Sequence, residues 1–257
     1  MKRLTAENVT IAVKNKILCK EITLSLQAGE IWGILGPNGV GKTTFLHTLA
    51  GLHPLSKGDI WLHHLTDSNK LRELAPKMIA KHIAVLFQDT HYAFPQRVRE
   101  FCLNARYPHL SYFKKETQQD QQIVDHALEV MELTAYQSRM VTTLSGGEKR
   151  RLAIAALLTQ TPTIYLLDEP LNHLDMRYQL HMLHYFRHLT QQAAATVMMS
   201  LHDANIAQQW CDHVLLLFAD GTLLQGRTKE ILTAENLSRL YQCHIQTTPL
   251  FSALLTS

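Results

Sequence analysis

Apolar residues gather in short runs along this chain, and stretches with a helical rhythm separate the runs. ITLSL (22–26), EIWGIL (30–35), DIWLH (59–63) and HIAVLF (82–87) predict strands. So do TIYLLD (163–168), TVMMSLH (196–202) and HVLLLF (213–218). TIYLLD is apolar until its final acid, as a parallel strand buried on both faces would be. Residues 43–49 predict a helix with Phe45, Leu46 and Leu49 on its apolar side. From about residue 94 to about 160 the rhythm is helical, with few β-branched runs. Residues 118–133 predict an amphipathic helix there, with Ile123, Val124, Ala127, Leu128 and Met131 on one side. The alternation predicts an α/β fold with a parallel sheet and a helical insertion between its two halves.

The chain has 257 residues, 46% of them hydrophobic and 18% charged, enough for a sizeable core at the upper end for one domain. It shows no internal repeat, Gly/Ser linker or long charge run. A formal net charge of +3 carries no basic stripe, so nucleic acid is not an expected partner. Cys19, Cys102, Cys211 and Cys243 are scattered and form no C-x-x-C pair, which suggests neither a disulfide framework nor a zinc site. The start, MKRLTAENVT, lacks an apolar signal core. Apolar runs such as VLLLFA (214–219) are far too short to span a bilayer. The expectation is a reduced, cytoplasmic polypeptide that reaches a membrane only through a partner.

Chemistry enters at GPNGVGKTT (36–44), which reads G-x-x-x-x-G-K-T between a predicted strand and a predicted helix. In the run Gly36, Pro37, Asn38, Gly39, Val40 and Gly41 the glycines would let backbone N–H groups, of which Pro37 has none, curl around phosphate oxygens at a helix N-terminus. Lys42 would reach the β- and γ-phosphates, the Thr43 hydroxyl would bind Mg2+, and Thr44 completes the loop. At the end of TIYLLD, Asp168 can present a carboxylate to the same metal, and Glu169 can orient or deprotonate an attacking water. A second glycine turn, LSGGEKRR (144–151), also opens a predicted helix. Ser145, Gly146, Gly147 and Glu148 suit an anion, and S-x-x-E equally suits a helix cap; both can hold at once.

With these residues in order, the chain resembles an ATP-binding-cassette (ABC) ATPase subunit over nearly its whole length. The phosphate loop at 36–44, LSGGE at 144–148 and the strand ending in Asp168 match the family's motifs, as do Gln88 after HIAVLF, Leu174-Asp175 at the end of PLNHLD, and His202 after TVMMSL. The resemblance implies a P-loop NTPase with a RecA-like parallel core, an N-terminal antiparallel β subdomain and a helical insertion subdomain. It divides one domain, 1–257, into a core (1–92 and 161–240), a helical subdomain (93–160) and a tail (241–257). It implies ATP with Mg2+, Glu169 as the catalytic carboxylate, Gln88 sensing metal and water, and His202 at the γ-phosphate. It also implies a second copy packed head to tail, so that the Ser145–Glu148 turn of one copy covers the nucleotide of the other, and it counts Asp175 among the nucleotide-binding residues.

Residues 93–113, AFPQRVREFCLNARYPHLSYF, resemble the segment after the glutamine loop in ATPase subunits of iron-siderophore, haem and cobalamin importers. Phe94-Pro95, Val98-Arg99-Glu100 and Arg106-Tyr107-Pro108-His109-Leu110 match, with Ala105 replacing a glycine; Phe186 and its neighbours also fit. The resemblance implies a transmembrane permease docked near Gln88 and, indirectly, a substrate-binding protein, with this chain on the cytoplasmic face of the inner (cell) membrane. The alternatives are a cassette acting on DNA or ribosomes, an importer for another substrate class, or a regulator without turnover. A single cassette without a coiled-coil insert, and intact Lys42, Asp168, Glu169 and His202, weigh against the first and last. Val13 or Lys14 stands where family members stack an aromatic ring on adenine, which leaves the base preference open. His181, His184 and His188 share one predicted helix face near His173, but no carboxylate or cysteine joins them, so a polar face is expected. Lys149-Arg150-Arg151 is expected to face solvent or the nucleotide interface.

Overall fold

The computed structural model describes residues 1–13, 16–64, 67–88, 95–110 and 116–245. Lys14, Phe94 and the tail beyond residue 245, all named above, lie outside them. Two long antiparallel strands open the chain, β1 (Lys2–Val13) and β2 (Lys16–Gln27). β3 (Ile31–Leu35) is buried throughout and runs through the loop at 36–41 into α1 (Lys42–Leu49). β4 (Lys57–His64) and β5 (Asp67–Lys70) then return beside β1, completing a four-stranded antiparallel sheet in the order β2-β1-β4-β5.

α2 (Pro76–His82) leads into β6 (Ile83–Leu86). Three helices follow, α3 (Val98–Asn104), α4 (Gln118–Val130) and α5 (Gly146–Thr159), before β7 (Ile164–Leu167). The rest is α6 (Met176–Ala193), β8 (Thr196–Ser200), α7 (Ala204–Trp210), β9 (His213–Leu217), β10 (Leu223–Arg227), α8 (Thr228–Ile231) and α9 (Ala234–Tyr241). The second sheet has the order β10-β9-β3-β8-β7-β6, parallel from β9 to β6, with β10 antiparallel at one edge.

Both faces of that sheet are covered, and the two-residue period of a strand sorts its side chains between them. Trp32, Ile34, Ile164, Leu166, Met198, Leu215 and Leu217 pack with α1 and the antiparallel sheet. Ile31, Leu35, Tyr165, Leu167, Val197, Met199, Val214 and Leu216 pack on the other side with α6 and the helical insertion. Phe186 of α6 is wholly buried there, its ring edge-on to Tyr165.

Val124, Ala127 and Leu128 of α4 face Val98 and Cys102 of α3 and Leu152 of α5 in the same core. α4 starts at a Thr117–Asp120 capping box, as the polar-first pattern allows. It stops at Val130 rather than at 133, because Glu132 takes a positive φ of 53° and turns the chain. Met131 and Leu133 remain buried beyond that turn. The consequence for function lies at one edge. β3, β8, β7 and β6 are parallel neighbours, so the loops after them emerge side by side at the carboxyl edge, where α/β sheets bind ligands.

Candidate nucleotide site

The phosphate loop leaves β3 at Gly36. A side chain on Gly36 would meet the Leu217 carbonyl oxygen at 2.5 Å, so only glycine fits where the loop turns past β9. Gly41 caps α1 in the left-handed region at φ 115°, which glycine tolerates. Lys42, 5% exposed, folds back along the loop and donates to Gly36 O (2.8 Å) and Pro37 O (3.2 Å). Burial pulls its ammonium below the ordinary lysine range, while the charges of Glu169 and Asp168 pull the other way.

Asp168 and Glu169 follow β7, next to β8. Asp168 is wholly buried, and its Oδ1 accepts the Ser200 hydroxyl at 2.7 Å. The same hydroxyl oxygen accepts the Glu169 N–H at 2.7 Å. Glu169 takes a left-handed backbone at φ 44°, which costs a non-glycine residue about 1–3 kcal/mol and persists only when its surroundings hold it. Its carboxylate is held on both oxygens. Gln88 Nε2 (3.0 Å) and Asn172 Nδ2 (2.5 Å) donate to Oε2, and His202 Nε2 lies 2.9 Å from Oε1. Gln88, Asp168, Glu169 and His202, far apart in sequence, thus converge. Ser200 joins them without having been singled out in the sequence, where one hydroxyl ending an otherwise apolar strand was the available signal, and Asn172, part of the PLNHLD run, joins them in a role the sequence did not assign.

The charge pattern here also bears on a metal. Asp168 Oδ2 is buried and has no hydrogen-bond partner. A buried anionic oxygen left bare is costly unless a cation or its bound water reaches it. Asp168 with the half-buried Thr43 hydroxyl offers the oxygen donors that Mg2+ prefers. Among the described residues no group of three or more His, Cys, Asp and Glu side chains could hold a metal ion by itself. One or two protein oxygens plus phosphate is the usual arrangement for Mg2+.

The second glycine turn begins α5. Ser145 Oγ accepts the Glu148 N–H (3.3 Å) and Glu148 Oε2 accepts the Ser145 N–H (2.7 Å), forming the helix cap that the sequence allowed. No hydrogen bond among the described residues links this turn to the phosphate loop. A methyl on Gly146 would meet nothing within 4 Å, so no neighbour among the described residues requires glycine there. Asp175 caps α6 through the Tyr178 N–H (3.0 Å). Val13 is exposed on β1.

One expectation fails. Arg150 and Arg151 do not face solvent or an interface but are buried. Arg151 donates to Met131 O and Glu132 O and packs on the Tyr178 ring, and Arg150 reaches main-chain carbonyls of the site. Arg106 of the RYPHL segment is also buried, paired with Asp120 at 2.8 Å and bonded to Thr159 O and Thr161 Oγ1. His181, His184 and His188 lie exposed along α6; His181 bonds Val130 O and His184 sits edge-on to Trp210.

Comparison with known proteins bears on the family and the fold. The family model described as ABC transporter matches residues 19–172. The ferric enterobactin transport ATP-binding protein of Escherichia coli K12 is 33% identical over 239 residues, 93% of this chain and 87% of that protein. The hemin import ATP-binding protein of Escherichia coli O157:H7 is 32% identical over 248 residues, covering 94% and 93%. Among solved structures, an inward-facing transporter described as of the metal-chelate ABC type superposes with a TM-score of 0.81 at 29% identity, covering 94% of this chain and 90% of that one. Motifs, fold and relatives agree: the chain belongs to the ABC transporter family and is an ABC-type ATPase built on the α/β core of P-loop NTPases.

Proposed function

We propose that this chain is the ATP-hydrolysing subunit of an importer, that two copies act together, and that they drive uptake of a metal chelate through a separate membrane permease. The observation that carries the catalytic part is the convergence of Lys42, Asp168 with its bare oxygen, and the doubly held Glu169 on one sheet edge. The substrate class rests on the relatives: a ferric chelate, hemin and a metal-chelate type transporter share one chemistry. Siderophore, haem or cobalamin-type cargo fits that class. No helix among the described residues is long and apolar enough to cross a membrane; in this reading a separate permease spans it, and the chain sits peripherally on the cytoplasmic face. A substrate-binding protein would act through the permease, and no nucleic acid is involved. The division into core (1–92, 161–240), helical subdomain (93–160) and tail (241–257) is part of the same reading.

In this mechanism the residues from Gly36 to Thr44 cradle the phosphates of ATP with main-chain N–H groups. Lys42 exchanges its carbonyl partners for β- and γ-phosphate oxygens. Asp168 and Thr43 would hold Mg2+ with help from Gln88, and a bound ion would offset charge on the phosphates. Glu169 orients a water for in-line attack and accepts its proton. His202 leaves Glu169 Oε1 to donate to the γ-phosphate. Ser145, Gly146, Gly147 and Glu148 of the second copy cover that phosphate, Asp175 lies at the junction, and the open space at Gly146 supports such an approach. Hydrolysis then releases the two copies, the two-state element that a permease can follow.

The test is turnover by the purified chain. Hydrolysis of ATP that stops with EDTA and returns with Mg2+ is expected. A folded chain with neither ATP turnover nor ATP-dependent pairing would overturn the proposal.

A further inference from the structure

Arg150 lies on α5 just after the second glycine turn, yet its side chain points into the protein and is 5% exposed. Among the described residues its guanidinium reaches five main-chain carbonyls on two separate segments. Nη1 donates to Phe87 O (2.7 Å) and Gln88 O (3.2 Å), directly after β6. Nη2 donates to Asp168 O (2.8 Å) and Glu169 O (2.6 Å), and Nε reaches Pro170 O (3.4 Å), directly after β7. These are the segments whose side chains, Gln88 and Glu169, bond each other at 3.0 Å in front of the sheet.

A guanidinium is planar and rigid, so two forks that each grip a different segment fix how those segments lie relative to each other. Glu169 needs that grip most. Its left-handed backbone is held at the N–H by Ser200 and at the carbonyl by Arg150. The fixed positive charge also suits carbonyl oxygens crowded at the ends of two parallel strands.

We propose that Arg150 is a positioning residue that couples the second glycine turn to catalysis: any displacement of α5 passes through one guanidinium to Gln88 and Glu169. This rests on the ATPase mechanism above and extends it. Covering of the nucleotide by the partner copy would move the N-terminus of α5, and Arg150 would carry that movement within its own copy to the glutamine and the carboxylate. Closure of one site would thereby be felt in the other.

The experiment compares the parent chain with Arg150→Met and Arg150→Lys, measuring kcat, KM for ATP, ATP affinity and thermal midpoint. Methionine removes all donors and leaves buried carbonyls bare, so it is the variant at risk of unfolding. Lysine keeps the charge, but its ammonium is a point donor that cannot span both segments. The expected result for folded Arg150→Lys is a kcat at least fivefold lower with KM and ATP affinity within twofold of the parent. Folded Arg150→Met should lose kcat further in the same pattern. A merely structural role would lower the midpoint with kcat per folded molecule preserved, or would shift KM with kcat. A folded Arg150→Lys with kcat within twofold of the parent overturns the inference, and so does failure of both variants to fold. If the parent itself does not hydrolyse ATP, the ATPase mechanism fails instead, and the two failures are told apart.

Discussion

The imidazole Nε2 of His202 lies 2.9 Å from Oε1 of Glu169, so side chains that follow two neighbouring strands meet in front of the sheet. With Gln88 and Asn172 on Oε2, the carboxylate is oriented before any nucleotide contact is considered. Replacing Glu169 by Gln keeps the shape but removes the proton acceptor. Steady-state ATP hydrolysis should fall by about 100-fold or more, while ATP binding persists and the paired, ATP-bound form accumulates. Phosphate release and size-exclusion chromatography with ATP read both effects. Turnover at the parent rate would remove Glu169 from the mechanism.

Ser200 joins the two acidic residues by donating to Asp168 and accepting from Glu169. Ser200→Ala leaves Asp168 Oδ1 and the Glu169 N–H without this partner inside the core. A stability loss of about 1–3 kcal/mol is expected, together with a roughly tenfold lower kcat, since a 1.4 kcal/mol loss of transition-state stabilisation is tenfold in rate. Urea unfolding and initial rates check the pair of effects.

Gly146 has room for a side chain within its own chain. An acid in the first turn of a helix favours that helix by about 0.3–1 kcal/mol. Gly146→Asp should therefore keep or slightly raise the thermal midpoint. The same charge would repel a phosphate held by the partner copy, so ATP-dependent pairing should be lost and hydrolysis should fall by about tenfold or more. Normal pairing in this variant would contradict the head-to-tail arrangement.

Asp120 links α4 to Arg106. Hydrogen bonds from the Thr117 hydroxyl and amide, followed by Arg106, hold its carboxyl at about 2 against an ordinary 3.8, although burial opposes them. A depressed carboxylate contributes stability that is fully present above its unfolded value. That contribution fades as pH falls from 3.8 through about 2. Asp120→Asn should be less stable near neutrality and should lose less than the parent over that acid window. Urea midpoints across the window provide the measurement.

How legible the molecule is from sequence differs by element. Central strands such as β7 and β8 read clearly because burial on both faces leaves them apolar throughout. β1 does not announce itself as a strand. Its pairing slips register and Asn8 takes a positive φ, so buried residues come in blocks, 4–6 and 9–11, instead of alternating. β5, DSNK, is an entirely polar edge strand and carries no hydrophobic signal. In the site, the phosphate loop and Asp168-Glu169 stand out because their chemistry needs fixed spacing. Arg150 and Ser200 do not, because a charge beside another charge reads as surface and a lone serine reads as neutral. Only the packing of α5 against the ends of β6 and β7 shows what Arg150 holds.

The most direct test of the transport proposal is capture of a tagged copy from detergent-solubilised native membranes, with its partners identified by mass spectrometry. A polytopic permease of the siderophore, haem or cobalamin type, bound to paired copies of this chain, is the predicted result. Recovery with ribosomes, with DNA or with soluble proteins alone would leave the ATPase chemistry intact and contradict the importer.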